Sequence, residues 1–390
     1  MKSRRRIAVV TGSRADYGLL RALIKILHAD TSVELQLLVC GMHLMPRFGS
    51  TWKDIEADGI PIAIRVELSV QDDSPVSAAK ATGQGIIGFS DALSSLKPDV
   101  LVLIGDRYEM LAAATVATLF NLPIAHIHGG EVTTGAFDDA IRHSLTKMAS
   151  LHFVAAEPYR RRVIQLGEDP SRVFTVGAPG LDQLPKHDAL DRAAVTHELG
   201  VSGDHGFLLV TLHPTTAQPE SDAPTTEAML RSLDRVKDRD IVFTGVNADP
   251  GYSLIDKAIR EFVSARPNHV RLFVSLGSQR YFAALRYADA VIGNSSSGII
   301  EAPAVGTPSI NIGERQTGRL RAASVIDCEP DVEAITAALR TALTPEFRER
   351  ARKNEPPYGR GGASARIAKI LREVVLDTLL PKRFYDLPDR

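Results

Sequence analysis

Short runs of apolar and β-branched residues recur along the chain, each followed by a segment in which apolar positions return every three or four residues. RIAVVTG, VELQLLVCG, PDVLVLIGD, LPIAHIHGG and SLHFVAA read as strands. YGLLRALIKILHA, PVSAAKATGQGIIGFSDALSSLK, RYEMLAAATVATLFN and FDDAIRHSLTKMA read as helices. The strand runs are continuous rather than alternating, as a parallel sheet covered on both faces requires. Strand and helix in turn, with short joins, predict a doubly wound sheet. After VGAPGLDQLPK the chain turns polar, and the pattern then restarts with GFLLVTLHP, TTEAMLRSLDRVK, RDIVFTGVN, IDKAIREFVSA, VRLFVSL, RYFAALRYA, ADAVIGNSSSG and PSINIGERQTGR. The expectation is two doubly wound, Rossmann-like α/β domains facing a cleft, over residues 1–185 and 186–364. ARIAKILREVVLDTLL reads as an amphipathic helix, and residues 365–390 are expected to pack back on the first domain.

Length and composition narrow the function classes. A chain of 390 residues exceeds what a single core supports. The formal net charge of −1 excludes a general basic field for nucleic acid, so any phosphate affinity must be local. The two cysteines, Cys40 and Cys328, lie in or beside apolar runs and read as buried, reduced thiols rather than a disulfide framework. IAVV near the N-terminus is too short for a signal segment, and no stretch of 18 apolar residues exists. A cytoplasmic protein with no membrane partner is expected.

Ligands of doubly wound sheets sit beyond the C-terminal strand ends, so the chemistry is sought there. TGSRADYG follows the first strand and is neither a dinucleotide fingerprint nor a P-loop. Its Arg14 and Asp16 are candidates for ligand contact, with helix amides nearby to attract an anion. IGDRYE places Asp106 and Arg107 after a buried strand, where an ion-paired helix cap is the plainer alternative. AHIHGGEVTTGAFDDAIRH gathers His126, His128, Glu131, Asp138, Asp139 and His143, a set suited to proton transfer. Zinc is the competing reading of its two strand histidines, but no cysteine is nearby, and no metal is expected. Gly129 and Gly130 would let the backbone approach a ligand. His213 in VTLHPTT and Asn247 in FTGVNAD are further strand-end polar residues. In GNSSSGIIEAP, Ser295, Ser296, Ser297 and Gly298 turn into a helix expected near Ile299, a cradle for a diphosphate. Glu301 is placed to reach a ribose diol, although a serine followed by a glutamate at a helix start can also be a capping box. Arg315 in INIGERQTGR could close on a base or phosphate.

TGSRADYG, IGDRYE, HIHGGE with FDDAIRH, LHP, GNSSSGIIEAP and INIGERQTGR occur in one order over nearly the whole chain. Together they resemble the hydrolysing UDP-N-acetylglucosamine 2-epimerase family, in particular its bacterial branch feeding sialic and legionaminic acid synthesis. The resemblance implies the glycosyltransferase-B fold and a UDP-sugar ligand. It places UDP on Ser295, Ser296 and Glu301, with contacts from Arg14, Arg107, His213 and Arg315. It assigns Asp106 and Asp138 to the reaction centre. It also implies a homo-oligomer, dimer or tetramer, and no redox cofactor. Many relatives carry HIEGGE, with a catalytic glutamate third. His128 stands there in this chain, so either Glu131 supplies the carboxylate or His128 takes the acid–base role. The implied reaction is elimination of UDP to a 2-acetamidoglycal, followed by addition of water with inversion at C2. The change also suits a 2,4-diacetamido-2,4,6-trideoxy sugar as well as UDP-N-acetylglucosamine. A non-hydrolysing epimerase and a glycosyltransferase of the same fold are the alternatives.

Overall fold

Ile7, Ala8, Val9 and Val10 are all fully buried because their run crosses the middle of a sheet covered on both faces. The computed structural model describes residues 4–68, 74–132, 137–184, 190–202, 205–215, 219–245, 252–274 and 276–388. The chain divides into two compact units, Met1–Asp182 with Gly361–Arg390, and Gln183–Arg360.

The first unit holds β1 (Arg5–Thr11), β2 (Val33–Cys40), β3 (Ile62–Val66), β4 (Val100–Ile104), β5 (Ile124–Ile127), β6 (Leu151–Val154) and β7 (Val173–Thr175). They form a parallel sheet ordered β3-β2-β1-β4-β5-β6-β7. Alternate residues of each run feed opposite cores. Ile7, Val9, Val100 and Val102 meet Leu20, Ile24, Ile367 and Leu371 of the helices Arg14–Ala29 and Ala363–Glu373. Ala8, Val10, Leu101 and Leu103 meet Phe89, Leu93, Ala113 and Val116 of the helices Pro75–Leu96 and Tyr108–Leu119. Each large aliphatic side chain so buried contributes about 1.5–3 kcal/mol.

The second unit holds β8 (Phe207–Thr211), β9 (Asp240–Thr244), β10 (Val270–Phe273), β11 (Ala290–Gly293), β12 (Ser309–Ile312) and β13 (Val325–Cys328), ordered β10-β9-β8-β11-β12-β13 and again parallel. Strand order reverses between β1 and β4 in the first sheet and between β8 and β11 in the second. At such switch points the following loops diverge and open a crevice.

The structure departs from the pattern in several places. β3 and the helix Glu157–Gln165 carry no assignment from the pattern, the first because an edge strand of five residues is too short to stand out and the second because its sequence is mostly polar. The C-terminal helix ends at Glu373, not at the end of the expected segment. Val374 turns extended there, at φ −62° and ψ 138°, where two β-branched residues in succession weaken the helix. The tail then runs along the first unit. Lys382 Nζ donates to the carbonyls of Thr146, Lys147 and Ala149, at 3.2, 2.7 and 2.7 Å. Cys40 is buried but Cys328 is only partly so, and both thiols are free. No described helix is long and apolar enough to cross a membrane.

Candidate active site

In the first unit the switch-point loop after β4 is set by a buried histidine. His126, on β5, is fully buried, and burial pushes its pKa down to about 3, so the ring is neutral. Its Nε2–H donates to the Gly105 carbonyl at 2.7 Å, while the Gly105 amide donates to the Ile127 carbonyl at 2.9 Å. These two bonds fix where Asp106 and Arg107 begin. His126 is therefore a structural member of the expected cluster, with its Nε2–H committed to the backbone.

Asp106 pairs with Arg142, which is 6% exposed. The same guanidinium donates to Asp139 at 3.1 Å and to the Glu131 carbonyl at 3.0 Å. Arg142 thus ties the β4 loop, the β5 loop and the helix Phe137–Met148 together. Asp138, on the first turn of that helix, has its carboxyl pKa raised, chiefly by burial and next by the Asp106 carboxylate, against Arg107 and Arg142. His128 Nδ1 lies 2.7 Å from Glu131 Oε1, within hydrogen-bond distance. One carboxyl held in an ion pair and a neighbour driven toward its protonated form is an arrangement suited to acid–base work.

Several expected site residues are otherwise engaged. Asp16 is buried, and its Oδ2 accepts from the Gly12 amide at 3.2 Å while its own amide donates to the capping Ser13 Oγ at 3.2 Å. It closes a helix cap instead of being displayed to a ligand, because a carboxylate on the first helical turn finds free amides nearby. Arg107 makes a bidentate pair with the fully buried Glu109, at 3.1 and 2.8 Å. Arg14 is exposed as the first residue of its helix, where the dipole disfavours a cation and a ligand anion would relieve it. His143 approaches Asp139 at 3.5 Å and lines a groove with Thr118, Lys147 and Lys382. Gly130 is needed for packing: a Cβ there would lie 2.5 Å from the Tyr159 carbonyl oxygen, so it serves the helix behind it and not a ligand.

The second unit builds its switch point around neutral amides, with Arg315 drawn to its edge. A Cβ on Gly293 would fall 1.9 Å from the Thr211 carbonyl oxygen, so only glycine lets β11 end against β8. Asn294 then clips the two loops together, accepting from the His213 amide and donating to the His213 carbonyl, both at 2.8 Å. The Asn294 carbonyl accepts from Arg315 at 3.2 Å and Gln316 at 2.8 Å, drawing in the loop after β12. The helix begins at Ser297, two residues before the expected start. Ser296 precedes it without a side-chain cap bond, and Ser295 Oγ accepts from the Ser297 amide at 3.3 Å. The expected capping box therefore does not form. Glu301 is pushed up to about 7 by burial, and its Oε2 has no hydrogen-bond partner among the described residues. Asn247 lies outside the described residues.

Arg142, Asn294 and Glu109 were not singled out by the sequence reading. Arg142 could have been: it lies three residues after Asp139 and four after Asp138, the spacing of a helical ion pair. Asn294 carries no such signal, since its partner His213 comes from a distant strand end, and Glu109 carries none because it stands only two residues from Arg107, which is not the spacing of a helical ion pair.

The family model described as UDP-N-acetylglucosamine 2-epimerase matches residues 25–372. A hydrolysing GDP/UDP-N,N'-diacetylbacillosamine 2-epimerase of Campylobacter jejuni is 38% identical over 386 residues, covering 99% of this chain and 100% of that protein. A hydrolysing UDP-N,N'-diacetylbacillosamine 2-epimerase of Legionella pneumophila is 36% identical over 373 residues, covering 95% of this chain and 97% of that protein. Among solved structures, the Neisseria meningitidis UDP-GlcNAc 2-epimerase bound to UDP-GlcNAc superposes with a TM-score of 0.79 at 17% identity, covering 94% of this chain and 99% of that one. That likeness establishes the fold. With the strand-end motifs in one order and the family model spanning most of its length, the chain belongs to the UDP-N-acetylglucosamine 2-epimerase family.

Proposed function

We propose that the chain is a hydrolysing 2-epimerase that converts a UDP-linked 2-acetamido sugar and water into UDP and the free manno-configured sugar. The names of the Campylobacter and Legionella relatives support this reading, and they support UDP-2,4-diacetamido-2,4,6-trideoxyglucose as the sugar over UDP-N-acetylglucosamine. The observation that carries it is the pair of unequal carboxyls in the first unit, Asp106 held by Arg142 and Asp138 raised by burial.

In the elimination, a base takes the C2 proton. The C2–H electron pair becomes the C1=C2 double bond, and the anomeric C–O pair leaves on UDP. In the hydration, water oxygen bonds to C1 and passes its proton to the Asp106 carboxylate. Asp138, held toward its protonated form by burial, delivers a proton to the opposite face of C2. Proton movement from Asp106 to Asp138 resets the pair. In the second unit, Ser295, Ser296 and the amides at the start of the helix Ser297–Val305 suit a diphosphate, and the unpartnered Oε2 of Glu301 suits a ribose hydroxyl donor. Arg14, His213 and Arg315 are the further UDP contacts of this reading.

The test is incubation with each UDP-sugar in deuterated water, followed by NMR and chromatography of the products. Free manno-configured sugar with deuterium at C2 and stoichiometric UDP is the expected result. An epimeric UDP-sugar would mark a non-hydrolysing epimerase, and turnover only with an added acceptor would mark a transferase.

A further inference from the structure

His128 has a left-handed backbone, φ +66°, which few residues other than glycine adopt without strain. The two residues that follow are glycines, so the loop had glycine available and still places an imidazole at the strained position. The ring is held on one side by the Glu131 carboxylate, 2.7 Å from Nδ1. Both side chains are only about one-sixth exposed, at 15% and 16%. The backbone around the pair is pinned twice. The His128 amide donates to the Phe153 carbonyl at 3.0 Å, and the Glu131 carbonyl accepts from Arg142 at 3.0 Å, whose other arm holds Asp106. One guanidinium therefore sets both the pair and the catalytic aspartate.

We infer that His128 and Glu131 act as a dyad in which His128 Nε2 is the base that removes the C2 proton and Glu131 is the residue that positions it. With Nδ1–H donating to Glu131, the lone pair must sit on Nε2. The carboxylate fixes that tautomer and stabilises the imidazolium that forms, as carboxylates behind working histidines do. The step balances: Nε2 gains the C2 proton, the C2–H electrons form C1=C2, the C1–O pair leaves with the diphosphate, and the imidazolium later releases its proton to solvent. His126, fully buried with Nε2–H committed to the Gly105 carbonyl, offers no ring nitrogen to a ligand and cannot take this part. The inference rests on the hydrolysing-epimerase reading and settles which member of the loop transfers the proton.

The test uses the full chain and His128→Gly, the substitution that the backbone conformation tolerates best. His128→Gly should remain folded by circular dichroism and bind UDP as the wild type does, yet lose about 10²–10⁴-fold in kcat. Added imidazole should restore part of the turnover, because a small base can occupy the vacated position. Glu131→Gln should lower kcat with little change in KM, and the double variant should be no slower than His128→Gly alone. His128→Gly turnover within threefold of wild type, or losses that multiply in the double variant, would overturn the dyad. A wild type that yields no UDP and no C2-deuterated free sugar would instead remove the epimerase reading itself.

Discussion

The two switch points solve one problem in opposite ways. Both must hold several loops together where strand order reverses. The first does it with charge: a nearly buried Arg142 bridges Asp106, Asp139 and the Glu131 carbonyl, and a buried Glu109 grips Arg107. The second does it with neutral amides: Asn294 joins the β8 and β11 loops, and its carbonyl collects Arg315 and Gln316. Charges at close quarters separate the proton affinities of neighbouring carboxyls, which proton transfer needs. Neutral donors can face a diphosphate without first surrendering a counter-ion. The difference suits the division of labour proposed above, chemistry in the first unit and nucleotide binding in the second.

Arg142→Met should show the contrast most strongly. It strands Asp106 and Asp139 beside one another and should cost about 3–5 kcal/mol in urea denaturation. Arg315→Met, in the neutral network and exposed, should stay within about 0.5 kcal/mol. Equal losses for the two would erase the distinction. Asp106→Asn should lower kcat about 10³-fold, or about 4 kcal/mol, while calorimetry finds UDP binding unchanged. Weakened UDP binding with normal turnover would put Asp106 on the nucleotide instead.

Glu301 is the exception within the neutral site. Its carboxyl is raised from 4.5 to about 7 by burial. The folded state therefore binds more protons than the unfolded state between those values, and stability should decline as pH rises through that window. Glu301→Gln removes this slope and should gain up to about 3 kcal/mol above pH ~7. Thermal melts of both proteins at about pH 5 and about pH 8 read it directly, and parallel pH dependence would argue against a raised carboxyl. Asn294→Ala should cost about 1–3 kcal/mol, because the His213 amide and carbonyl lose their partners. The smallest effect is expected from Ser295→Ala with Ser296→Ala, about a tenfold rise in the Kd for UDP, or about 1.4 kcal/mol, with kcat nearly unchanged.

Much of this was legible in the chain. Continuous apolar runs such as VLVLI of β4 announced buried parallel strands, and glycine and polar residues directly after them marked the candidate functional loops. Asp106, Glu131 and Asp138 could be listed as acids on neighbouring loops, but their roles could not be divided. Asp16 and Arg107 illustrate the limit. Both stand in strand-end motifs, yet one is taken up by a helix cap and the other by Glu109, which the sequence reading does not single out and which is fully buried.

The sequence by itself determined the alternation of strand and helix, the two doubly wound sheets and the strand-end loops where the candidate site residues stand, because periodicity and backbone preference act over a few residues. Only the tertiary structure decided which histidine serves the backbone and which faces Glu131, and that Arg142 binds Asp106 and Asn294 clips His213. Those pairings join residues 36 and 81 positions apart, and burial, which sets their electrostatics, exists only once the strands are assembled.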